Sequence, residues 1–221
     1  LPDEADRRRL YAAFLRDVVS ACVSVDGATL RVAYTADGGT AGFDAVGLTP
    51  SQLLPQRGDD LGARERGVFE DLFGLGFSPV VLIGSDLPTL PVWLITDAIQ
   101  RLLASHDRVV LGPADDGGYY LMGMSRNPIT AAIPDLFSTI RWSSEWTRAD
   151  TVAAAERCGL RVELLETWYD VDDAAGLARL RREIGTEQGS GRAPATKRVL
   201  DALAARGKNP AMGFLGGLPW P

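Results

Sequence analysis

Apolar residues recur along this chain with two periods, and the alternation between them predicts the architecture. Leu10, Phe14, Val18 and Cys22 fall every four positions, one stripe of a helix opened by Pro2, Asp3 and Glu4. Residues 28–36 read as a strand, and the Gly38-Gly39 turn leads into a short helical stretch ending near Gly47. A brief extended piece at 51–57 precedes a second helix, with Leu61, Val68 and Leu72 on one face, Asp59 and Asp60 at its start and Gly74 or Gly76 at its end. The unbroken run from Pro79 into Gly-Ser-Asp reads as a central strand covered on both faces. A helix from Pro91, strands at 108–112 and 119–124, a helix capped by Ser143 or Ser144 and closed by Gly159, a strand at 160–168 and a helix opened by Asp172 and Asp173 complete the pattern. Strands alternating with helices predict a three-layer αβα sandwich around a mainly parallel, mixed sheet, occupying residues 1–184. Residues 185–221 read as a Gly/Ser/Pro linker, a short helix at 197–205 and a Gly/Pro-rich tail. That tail packs on the domain or, through Phe214, Leu215 and Trp220, forms a homodimer contact.

Composition narrows the function classes. The 221 residues, 46% hydrophobic and 24% charged, suit one globular domain. A net charge of −6, with no basic run beyond Arg7, Arg8 and Arg9, argues against a nucleic-acid partner. No apolar stretch is long enough to span a membrane and nothing reads as a secretory signal, so a cytoplasmic location is expected. Cys22 and Cys158 lack metal-ligand spacing and read as reduced, packed thiols. A single histidine, His106 at a helix end, excludes multi-histidine metal sites and leaves little room for a His-dependent triad.

Three acidic clusters fall at predicted strand ends, where helix N-termini and loop amides converge on ligands in such folds. They are Asp86 in "GSDLPTL", Asp115 and Asp116 in "GPADDGGYYLMG", and Asp170, Asp172 and Asp173 in "WYDVDD". A carboxylate ending an apolar strand needs amides or a cation to solvate it. Asp86 is therefore either a helix N-cap or a ligand to Mg²⁺ or Mn²⁺, ions held by one or two carboxylates plus substrate phosphates. The Asp-Asp-Gly-Gly stretch is either a polar turn or a ligand-lining loop, and the second glycine and the tyrosines after it favour the loop. Asp173 suits a helix N-terminus, whereas Asp170 or Asp172 is placed to complete a metal site with Asp86.

These stretches, with "IRWSSE" and the "LLPQRGDDLGAR" segment, resemble in order and spacing the GT-A-fold transferases known as radical-SAM/selenodomain-associated transferases. That family is related to the molybdenum-cofactor and 2-phospholactate guanylyltransferases and to nucleotide-sugar glycosyltransferases. The resemblance implies a nucleotide-diphospho-sugar transferase-like fold and a divalent cation held by Asp86 with Asp170 or Asp172. It further implies an acceptor or sugar side formed by Asp115, Asp116, Gly117, Gly118 and Tyr119, and a nucleotide contact by Gln56, Gly58 and Arg64. The family's first strand and basic phosphate loop are absent from this sequence. The activity implied by the resemblance is that of a metal-dependent glycosyltransferase acting on a nucleotide sugar and a small-molecule acceptor. The alternatives are a nucleotidyltransferase acting on a phosphorylated or carboxylated metabolite, and a non-catalytic scaffold.

Overall fold

The computed structural model describes residues 3–127 and 132–208. The apolar tail around Phe214, Leu215 and Trp220, with the dimer contact expected of it, lies outside these residues. In chain order the elements are α1 (Glu4–Val23), β1 (Val32–Tyr34), β2 (Leu53–Pro55), α2 (Leu61–Gly74), β3 (Val80–Ile83), α3 (Val92–Ala104), β4 (Arg108–Pro113) and β5 (Tyr119–Met124), then α4 (Thr147–Arg157), β6 (Arg161–Leu164), α5 (Ala174–Glu183), α6 (Glu187–Arg192) and α7 (Pro194–Lys208). Three helix starts carry caps that the sequence offers, whereas α4 starts at Thr147 behind Trp146 with no side-chain cap, so neither Ser143 nor Ser144 is its N-cap. Asp3, Asp60 and Asp173 accept hydrogen bonds from the amides of Ala5, Ala63 and Gly176 at 2.9, 2.8 and 2.7 Å.

The main sheet has the order β3-β5-β4-β6, with β4 parallel to β6 and β5 antiparallel to both β3 and β4. Alternation along β4 builds the layers: Val109 and Leu111 pack with Val68, Phe69, Leu72 and Phe73 of α2 and with Ala154 and Ala155 of α4. Val110 points the other way and packs with Leu94, Ala98 and Leu102 of α3. The sandwich is thus αβα with a mixed sheet, as the sequence pattern predicts.

Two features depart from that pattern. First, β3 is not flanked by strands on both sides. Among the described residues it pairs with β5 on one side only, while β1 and β2 form a separate parallel pair. Between β1 and β3 lies a cavity of about 710 Å³, with Val18, Cys22, Val32, Val81 and Leu82 among its apolar walls. An apolar run reveals that a strand is covered, but not by what, so β3 reads as central although it borders a cavity. Second, residues 187–208 are helical instead of a linker followed by a helix at 197–205. Thr186 caps α6 through the Gly189 amide at 3.1 Å, and Pro194 opens α7.

These last helices are part of the folded body. Leu10 and Phe14 of α1 pack with Leu180, Ile184, Ala193 and Leu200. Asp17, only 2% exposed, accepts hydrogen bonds from the amides of Ala195 and Thr196 at 2.9 and 2.8 Å, and so caps α7 from across the domain. The cysteines differ from the expectation that both are packed. Cys22 is part-buried, and burial pushes its thiol up to about 11, whereas Cys158 is exposed at the end of α4. His106 is exposed just beyond α3.

Asp17→Ala leaves two buried amide donors without their acceptor. We expect it to destabilise the protein by roughly 1–3 kcal/mol and to raise amide exchange selectively at 194–200. Unchanged denaturation and exchange would show that α7 is held by apolar packing alone.

Candidate active site

All three acidic clusters meet at the carboxyl edge of the main sheet, and backbone bonds bring them there. The amide of Trp168 donates to the Pro113 carbonyl at 3.0 Å, and Ala114 and Trp168 form a parallel bridge that continues the β4–β6 pairing. Three residues on, the Val171 amide donates to the Asp86 carbonyl at 3.2 Å. Asp170 and Asp172 flank Val171, so this one bond sets both beside the end of β3.

The electrostatics reflect that crowding. Asp86 is not a helix cap, because α3 starts six residues later after Pro91. Burial, then the charge of Asp172, pushes the Asp86 carboxyl up to about 6, with the two side chains in hydrogen-bonding reach. Asp170 is also raised, first by burial and then by Asp172, Asp116 and Asp115. Asp172, Asp116 and Asp115, the three further acids named in these shifts, thus form one field of negative charge around Asp86 and Asp170.

Among the described residues, no group of three or more His, Cys, Asp or Glu side chains is arranged to hold a metal ion. The pair Asp86 and Asp172 nonetheless fits a magnesium- or manganese-type ion. Such ions need only one or two protein carboxylates when phosphates complete the shell, and two carboxylates in contact lack a counter-charge of their own.

The loop between β4 and β5 is fixed from two sides. Asp116 accepts from the Gly118 amide at 2.8 Å, and Asp115 forms an ion pair with Arg179 of α5. Gly117 has φ 94°, and a Cβ there would lie 2.3 Å from the Glu145 carbonyl oxygen. The loop therefore packs on residues 143–148, where the Arg148 amide donates to the Gly117 carbonyl at 3.1 Å. Ser143 in this segment has φ 56°, an uncommon conformation for a residue with a side chain.

Gln56, Gly58 and Arg64 form a compact unit before and within α2. The Gln56 amide extends the β1–β2 ladder by donating to Tyr34 at 2.8 Å, and Arg64 Nε donates to the Gly58 carbonyl at 3.1 Å. Gln56, Arg64, Asp86 and Tyr119 all line the cavity beside β3, whereas Gly58, Asp170 and Asp172 are not among its lining residues. Asp115, Asp116, Gly117 and Gly118 are not among its lining residues and face the edge from the β4–β5 loop.

Two participants escape the sequence reading. Glu65 also lines the cavity, and burial pushes its carboxyl up to about 7 while the Tyr119 phenol donates to it at 2.8 Å. A signal for it exists, since Glu65 lies on the Leu61, Val68, Leu72 stripe where an apolar residue is expected. Arg179 has none: its partner Asp115 is 64 positions away.

Comparison with known proteins adds two findings. The model of a family described as "uncharacterized protein conserved in bacteria (DUF2064)" matches residues 18–144. A crystal structure from Desulfovibrio desulfuricans G20, described as a "putative nucleotide-diphospho-sugar transferase", is 31% identical. It covers 93% of this chain and 86% of its own, with a TM-score of 0.80. No curated protein matches the chain significantly.

The geometry makes two outcomes measurable. Gly117→Ala should cost roughly 1–3 kcal/mol in denaturant unfolding, and a neutral result would contradict the close approach to Glu145. The Asp86 pKa is raised from 3.8 to about 6 on folding, so the stability linked to its proton is complete below about pH 4 and is lost as pH rises through 6. In chelator-treated buffer Asp86→Asn should therefore gain roughly 1–2 kcal/mol on the wild type between pH 4 and pH 7. Parallel stability curves for the two proteins would refute the crowding.

Proposed function

The chain belongs to the DUF2064 family, and from the nucleotide-diphospho-sugar transferase fold and the acidic edge it carries we propose that it is a metal-dependent glycosyltransferase. Its donor is a nucleotide sugar and its acceptor a small hydroxyl-bearing molecule. The observation that carries the reading is that Asp86, in contact with Asp172 and beside Asp170, lines the same cavity as Gln56 and Arg64.

In this reading Asp86 and Asp172 hold a Mg²⁺ or Mn²⁺ ion, with Asp170 adding charge beside them. Bound there, such an ion would supply positive charge to the donor's diphosphate and offset the negative charge that grows on the departing nucleoside diphosphate. Gln56 and Arg64 grip the nucleotide side of the donor, and Gly58 sets the turn that aims Arg64. The Asp115–Gly118 loop receives the acceptor and the sugar. Asp116 takes the acceptor hydroxyl's proton as the new bond to the anomeric carbon forms and the bond from that carbon to the diphosphate oxygen breaks. Tyr119, fixed by Glu65, forms the wall between the two halves. The chemistry needs no histidine.

Among the described residues no helix is long and apolar enough to cross a membrane. Acidic composition and the absence of a basic patch speak for small-molecule ligands over nucleic acid.

A panel of nucleotide sugars and nucleoside triphosphates with Mn²⁺, read by thermal shift, tests the proposal. A nucleotide sugar at about 100 times its Kd should add about 2.7 kcal/mol and raise the Tm by roughly 5–11 °C, and Asp86→Asn should abolish the rise. A shift with triphosphates alone, with pyrophosphate released on adding acceptors, would assign nucleotidyl transfer instead. No shift with any ligand would favour a scaffold.

A further inference from the structure

Arg179 is the one guanidinium shown in an ion pair with an acid of the cluster, and its placement is unusual among the described ion pairs. Its head forms an ion pair with Asp115, and its Cζ lies over the Tyr169 ring, 3.9 Å from the centroid. That ring is itself immobilised: the Tyr169 hydroxyl donates to the Glu183 carboxylate and lies 3.3 Å from the Thr89 hydroxyl, and Trp168 stacks beside it at 5.8 Å. Stacking engages the face of a guanidinium and leaves the N–H donors at its edge free for anions. Asp115 takes that edge in the ligand-free protein, yet both partners stay about half exposed, at 46% and 53%. The pair is thus open to competition from solution. Exposed pairs of this kind are weak, on the order of 0–1 kcal/mol, so a doubly charged phosphate displaces the carboxylate readily.

The location gives the competing anion its identity. Asp115 follows Ala114, whose bridge to Trp168 continues the β4–β6 pairing, and three residues beyond Trp168 the Val171 amide is bonded to the Asp86 carbonyl. The guanidinium therefore stands on the metal acids' side of the edge, supplied by α5, whose amino end caps on Asp173 at the same edge. A carboxylate and a phosphate present the same pair of oxygens to an arginine fork, so Asp115 occupies a phosphate's place.

We propose that Arg179 is the residue that receives a phosphate group of the donor's diphosphate at the acidic edge, held ready over Tyr169 and released from Asp115 when the metal–diphosphate ligand arrives. This inference rests on the transferase reading and adds the residue that reads the anion. It also gives Asp115 a role as the resting partner of Arg179, leaving proton transfer to Asp116.

The test uses inorganic pyrophosphate with Mn²⁺, titrated calorimetrically into the wild type, Arg179→Met and Asp115→Asn, with Mn²⁺ binding alone monitored by electron paramagnetic resonance. Arg179→Met should weaken Mn²⁺-dependent pyrophosphate binding roughly 10- to 100-fold while leaving Mn²⁺ binding alone intact. Asp115→Asn should tighten pyrophosphate several-fold, because it frees the fork. The opposite signs separate this role from a structural one: loosening the edge would weaken binding in both variants. Equal pyrophosphate binding by wild type and Arg179→Met, or a loss in Asp115→Asn matching that in Arg179→Met, would overturn the proposal. Nucleotide-sugar binding insensitive to Arg179→Met would sink this inference alone. Pyrophosphate binding with the predicted signs, in a protein that binds no nucleotide sugar, would sink the donor class and leave Arg179 in place.

Discussion

Carboxylates brought together at a half-buried edge repel one another, and the site of this protein depends on keeping them there. The Arg179 ion pair to Asp115 offsets only one of the charges. The work falls to the backbone: β4 and β6 pair in register, the pairing continues through Ala114 and Trp168, and the Val171 amide reaches the Asp86 carbonyl. Because those bonds are fixed by sheet geometry, the acids cannot relax apart, and burial first, then the neighbouring charges, raise the carboxyls of Asp86 and Asp170. In the proposed function, a divalent cation between Asp86 and Asp172 would relieve that repulsion, which would link a feature costly to the free protein to ligand binding.

Much of this was legible in the chain. Period-two and period-four patterns place the strands and helices in order, and the strand ends place Asp86, Asp115, Asp116, Asp170 and Asp172 at one edge before any coordinates exist. The residues that position them were less visible. Asp17 and Glu65 each lie on an otherwise apolar helical stripe, and that violation is a readable sign of a buried carboxylate with a dedicated partner. The partners themselves, the Ala195 and Thr196 amides and the Tyr119 phenol, are set by tertiary contact over 178, 179 and 54 positions and leave no local trace.

Where the pattern misleads, the reason is physical. An apolar run reports burial, and β3 is buried by a helix layer and one strand while its other edge borders the cavity. A Gly/Ser/Pro composition reports low intrinsic helix propensity, yet residues 187–208 are helical because Thr186, Pro194 and Asp17 supply their amino ends and α1 covers their apolar face. Local preference is a weak term beside such capping and packing.

The central claim is that a cation held by Asp86 and Asp172 contacts the diphosphate of a nucleotide sugar. Electron-nuclear double resonance on the Mn²⁺-loaded protein with a nucleotide sugar measures that contact directly through the phosphorus hyperfine coupling. The account predicts a strong ³¹P coupling of directly coordinated phosphate in the wild type, lost in Asp86→Asn. A bound nucleotide sugar with no phosphorus coupling to the metal, or a coupling untouched by the substitution, would contradict it.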